Sequence, residues 1–123
     1  MIEVTLKTIV ASQEALKELT GFKPVGKFGY HAARLVSQCT DALTSFETAR
    51  QNSIEAHGEY DEKSVNYLFP TEAAQKAVNK EISDLLSAMV TLNADLLSFD
   101  ELEKSSPTVG LISSLNWAIA PPA

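Results

Sequence analysis

From Phe28 to about His57 the chain has no proline and, after Gly29, no glycine. Along it, apolar side chains recur at Phe28, Ala32, Leu35, Val36, Cys39, Ala42, Leu43, Phe46 and Ala49. Steps of three and four place them on one stripe of an α-helix. The opposite face carries Gln38, Thr40, Asp41, Ser45, Glu47, Thr48 and Gln51. At about 1.5 Å of rise per residue the helix is about 45 Å long. Short loops cannot cover a stripe of that length. It needs a second helix, a sheet or a second copy of the chain.

The rest of the composition supports a globular protein. The chain has 123 residues, 45% apolar and 21% charged, enough to bury a core without metals or disulfides and too apolar for a disordered chain. We read it as one domain, 1–123. Sixteen acidic against ten basic residues give a net charge of -6. The Lys and Arg residues are scattered singly, whereas phosphate backbones call for clusters, so nucleic acid is not an expected partner. A membrane is not expected either, because no apolar run approaches the roughly 20 residues of a spanning helix. The first residues show no charged-then-apolar leader, which makes the cytoplasm the expected compartment. Cys39, the only cysteine, cannot form an internal disulfide. Its place on the stripe makes it a small buried hydrophobe.

Around the long helix the pattern predicts an α+β fold. Ile2 to Lys7 alternates as a half-buried strand does. Ser12 is set to cap a short helix through Leu19, stopped by Thr20 and Gly21 with glycine in the left-handed position. Phe22 to Lys27 is a connector. Gly58 again stands at a helix stop. Glu59 to Ser64 is polar enough for an exposed loop, and Val65 to Phe69 suits a short strand or extended segment. Thr71 caps a second amphipathic helix with Ala74, Val78, Ile82, Leu85, Leu86 and Met89 on its stripe. The two helices are expected to pack as a long antiparallel helical hairpin. Val90 to Phe99 alternates again and is expected to pair with the first strand. Asp100 to Lys104 is a turn or short helical piece. Ser106 and Pro107 then start a C-terminal helix, Thr108 to Ile119, ended by Pro121 and Pro122. The hairpin against a small sheet, with the outer C-terminal helix, is the expected architecture.

Catalytic patterns are not found. His31 and His57 lie at opposite ends of one helix and show no zinc spacing. His57 suits a surface or cap position at the negative helix end. Glu55, Glu59, Asp61 and Glu62 lack the order of a calcium loop, and the glycines at 21, 26 and 29 form no phosphate-binding motif. No metal or cofactor is expected. Arg34 and Arg50 are about 24 Å apart along the helix. Each has two uses: a surface ion pair, or convergence with a symmetry copy on an anion. In the second use Lys27 and Tyr30 join them as ligand-binding residues. Trp117 and Ile119 also have two uses, packing the last helix inward or anchoring an interface.

Several segments resemble small proteins encoded by tailed bacteriophages. Pro24-Val25-Gly26-Lys27-Phe28-Gly29-Tyr30-His31-Ala32-Ala33-Arg34-Leu35 is similar to their P-V-K-x-x-Y-x-x-A-R-L segment, with Gly26 and Gly29 as departures. Phe46-Glu47-Thr48-Ala49-Arg50 is similar to their F-E-x-A-R, Gly58-Glu59-Tyr60-Asp61 to their glycine–acidic loop, and Leu115-Asn116-Trp117-Ala118-Ile119 to their closing L-x-W-I. The resemblance implies a phage product of the host cytoplasm or the virion and transfers no functional residue. Two functions are expected on this basis. The first is a non-enzymatic accessory or virion-associated protein acting as a homo-oligomer, through contacts with itself and with phage or host proteins. The alternative is an oligomeric sponge that sequesters a nucleotide signal of host defence.

Overall fold

The computed structural model describes residues 1–121 and shows a mainly helical α+β arrangement. Strand β1 (Ile2–Thr5) pairs antiparallel with β4 (Met89–Leu92), with Ile2 opposite Leu92 and Val4 opposite Val90. This is the pairing expected between the N-terminal strand and the segment beginning at Val90. Alternation puts Ile2 and Val4 into the core. The strand is shorter than the alternation implies, however. Thr5 Oγ1 accepts the N–H of Thr8, and helix α1 (Leu6–Ala11) begins there. Leu6 continues the two-residue period but also starts a helical one with Ile9, and both are buried. The cap decides between the two periods.

Helix α2 (Gln13–Gly21) follows. Ser12 precedes it but makes no side-chain cap. Its buried hydroxyl donates to Thr8 O at 2.7 Å and lies 3.1 Å from Ser114 O, while Trp117 Nε1–H donates to it at 3.1 Å. A buried hydroxyl must find such partners, and here they tie the two ends of the chain together. Gly21 remains helical; the left-handed residue is Lys23, φ 50°, directly before Pro24.

Helix α3 (Gly26–His57) starts two residues before the apolar stripe does. Gly29 explains how. A Cβ there would lie 2.5 Å from Pro24 O, so glycine lets the connector fold against the first turn. Gly58 has the extended φ of -101° rather than a left-handed one. Its role is also close approach, since a Cβ would stand 2.8 Å from Ile54 O and 3.2 Å from Phe69 Cε1.

The segment expected as a loop is partly a strand. β2 (Glu59–Asp61) and β3 (Asn66–Leu68) form a second antiparallel sheet, with Tyr60 opposite Tyr67. Helix α4 (Glu72–Leu86), capped by Thr71 Oγ1 on Ala74 N at 3.1 Å, packs on α3. Its 15 residues face α3's 32, and the β2–β3 unit stands between them in the chain. The result is a helix pair with a small sheet at its turn, not a plain helical hairpin. Met89, expected on the helical stripe, is instead an exposed strand residue.

After Leu92 the predicted strand gives out. Arg34 Nε donates to Asn93 O at 2.6 Å and Gln38 Oε1 accepts Asn93 N–H at 3.3 Å, so α3 takes both backbone groups that a ladder would use. Leu97 makes one parallel bridge with Ile119. Ser98 then caps α5 (Phe99–Glu103), the short helical piece expected near Asp100.

The C-terminal helix is broken. Ser106 has φ 51°, and Thr108, not Ser106, caps α6 (Val109–Ser114). The Glu18 carboxylate fixes that start, accepting Thr108 N–H at 3.0 Å and Oγ1–H at 2.8 Å. A 3-10 turn, Asn116–Ala118, replaces the last expected turn because Ile119 is drawn into the bridge with Leu97. Pro122 lies outside the described residues. The core gathers Ile9, Leu19, Leu35, Cys39, Leu97 and Leu115 between α1, α2, α3 and the C-terminal segment. No helix of the described residues is long and apolar enough to cross a membrane.

Candidate functional site

Two regions have surface features that the core does not explain: a cleft at the start of α3 and an arm at its end. The cleft, about 670 Å³, is lined by Lys27, Phe28 and His31 from α3, and by Leu96, Ser98, Phe99, Asp100 and Glu101 from the segment entering α5. Helical spacing of four puts Lys27 and His31 on the same wall. The His31 Nδ1 atom is buried and makes no hydrogen bond. It lies 3.4 Å from Asp95 Oδ2, near enough for attraction when the ring is protonated but without hydrogen-bond alignment. Glu101 is already paired with Lys104 at 3.0 Å, and Ser98 Oγ accepts Glu101 N–H. The cleft therefore offers mixed charge on apolar walls. Its one hydroxyl, Ser98 Oγ, accepts a backbone N–H as the cap of α5.

The candidate ligand residues fall in different places. Lys27 lines the cleft. Tyr30 is exposed and meets His31 edge-on, with centroids 5.7 Å apart. Arg34 holds Asn93, while Arg50 pairs with Glu47 at 3.4 Å on the surface. Within one chain the two arginines do not meet, and a shared anion would require a second copy. Trp117 is partly buried, its N–H turned inward to Ser12 Oγ and Ser114 O, and Ile119 packs against the core. His57 Nε2 stands 2.9 Å from Glu81 Oε2 and joins the end of α3 to α4.

Sequence reasoning missed the company of His31. Its spacing to Lys27 was available, but Asp95 comes to His31, and Asp100 to the cleft, only through the bend after β4, which no local pattern encodes. Cys39 is fully buried, and burial pushes its thiol up to about 11, as expected of a packing residue. Among the described residues no group of three or more His, Cys, Asp or Glu is placed to hold a metal ion.

The arm is the larger feature. From Glu47 to Ala77, through the end of α3, β2, β3 and the start of α4, no residue is buried. Tyr60 is 55% exposed, Leu68 54% and Val65 74%. Opposite pairing puts Tyr60 and Tyr67 on one face of the small sheet, centroids 5.4 Å apart, and Leu68 on the other. Hydrogen bonds from Ser64 lower the pKa of Asp61 and close the turn between the strands. Comparisons of the chain with models of known families, with curated proteins and with solved structures give no match.

Proposed function

We propose that this chain is a non-enzymatic phage accessory or virion-associated protein that acts through protein–protein contacts, as a homo-oligomer, in the host cytoplasm or in the particle. The observation that carries the reading is the arm. A stretch with no fully buried residue, in which Ile54, Tyr67 and Phe69 are half-buried and Tyr60, Val65 and Leu68 are exposed, leaves apolar area in water that contact with a partner would stabilise by about 25 cal/mol per Å². Exposed apolar side chains on both faces of so small a sheet, Tyr60 on one and Leu68 on the other, suit contact with a partner. In this reading α3 and α4 are the two limbs that hold the contact surface away from the core. The resemblance of the Phe46–Arg50 and Gly58–Asp61 segments to small proteins of tailed phages supports the setting.

The test is to follow a tagged copy through infection by the phage that encodes it. The chain is expected in defined stoichiometry with itself or another polypeptide, in purified particles or in complexes from the infected cell. Recovery as a 13.3 kDa monomer at every stage contradicts the proposal.

A further inference from the structure

We infer that His31 and Asp95 form an acid-strengthened tie that fastens the start of α3 to the segment after β4. Among the described residues, His31 Nδ1 is the only buried side-chain nitrogen or oxygen without a hydrogen bond. A buried polar atom left without a partner costs free energy, so its place in a fold needs a reason. Asp95 Oδ2 stands 3.4 Å from it. Once the ring is protonated, Nδ1 carries a hydrogen and the ring a positive charge. The Asp95 side chain is 75% exposed, which leaves its carboxylate free to turn into line with that hydrogen. Attraction is full only in the charged ring, and a charge-assisted bond replaces the unmade one.

The start of α3 depends on ties of this kind. It has neither a side-chain cap nor an acidic residue in its first turn, and Gly26 and Gly29 are poor helix formers. Three α3 side chains reach the segment after β4. Arg34 donates to Asn93 O, Gln38 accepts Asn93 N–H, and His31 meets Asp95. Only the third changes its charge between about pH 5 and 8. Ala94 and Leu97 are buried on either side of Asp95, so the backbone there is pinned and the carboxylate stays within reach. The other charges near the ring are balanced. Lys27 shares its wall of the cleft and Arg34 follows three residues on, while Asp100 and Glu101 line the cleft from α5, Glu101 being paired with Lys104. Strand β4 carries no titratable residue and α1 only the exposed Lys7, and Glu14, Lys17 and Glu18 of α2 line other clefts. The tie therefore strengthens as pH falls through the histidine range and weakens as it rises.

The experiment is amide hydrogen exchange by NMR at about pH 5.5 and 7.5, corrected for intrinsic rates, on the wild type, Asp95→Asn and His31→Gln. His57 keeps its partner Glu81 in all three proteins, so its own response is common to them. In the wild type, opening at residues 28–35 and 93–97 is expected to be about two- to five-fold rarer at the lower pH, the span of a partly exposed ion pair. Both variants are expected to lose that difference. A wild type with equal protection at the two pH values overturns the inference, as does a response that survives either substitution. Circular dichroism verifies that the variants fold. If His31→Gln does not, Asp95→Asn decides, since its side chain is exposed.

Discussion

At the residue scale, Gly21 and Gly29 show why the same residue type has opposite sensitivities in two helices. Nothing lies within 4 Å of a Cβ built on Gly21, and its φ is ordinary. Gly21→Ala therefore stabilises by about 0.5–1 kcal/mol, by restricting the unfolded chain. Gly29→Ala has the same benefit but drives a methyl into Pro24 O. Urea unfolding is expected to show a net loss of about 1–3 kcal/mol. Cys39 predicts a pH dependence. Its thiol is shifted from 9.0 up to about 11 by burial, so the unfolded chain ionises first. Stability from this group is complete below pH 9 and declines as pH rises towards 11. Cys39→Ala has a lower baseline from the lost packing, and its stability falls less over that interval. Equal slopes for the two proteins contradict the assignment.

At the element scale, Arg34 and Arg50 look alike in sequence and differ in use. Arg34 joins α3 to the end of β4 through a 2.6 Å bond to Asn93 O, whereas Arg50 makes an exposed pair within one helix face. Thermal unfolding is expected to show a loss of about 1–2 kcal/mol for Arg34→Met and less than about 0.5 kcal/mol for Arg50→Met. The same contrast shows what the sequence could reveal. The long helix, α4 with its Thr71 cap and the pairing of the first strand with the segment at Val90 were legible, because apolar period and capping are local signals. The extent of the second strand was not, since its end is set by Arg34 and Gln38 from far along the chain. Nor was the break in the last helix, which depends on Glu18 and on the Leu97–Ile119 bridge. The cleft beside His31 was illegible for the same reason. Half of its wall arrives through tertiary folding.

At the scale of the whole molecule, the fold divides into a body with a buried core and an arm, Glu47 to Ala77, with no fully buried residue. Deep side chains such as Leu19, Leu35 and Leu97 each contribute about 1.5–3 kcal/mol relative to exposure, and they all lie in the body. The arm has His57–Glu81 and Tyr67–Glu55 as local ties, exposed polar contacts of small net value. Such a segment opens readily by itself and becomes protected by mass action when a partner binds it. The most direct measurement is amide hydrogen exchange at low and high protein concentration, resolved by peptide. The proposed homo-oligomer, in contact through the arm, predicts that peptides from Glu47 to Ala77 exchange more slowly as concentration rises, with those around Ile9 and Leu19 unchanged. Exchange in the arm that is fast and independent of concentration contradicts it.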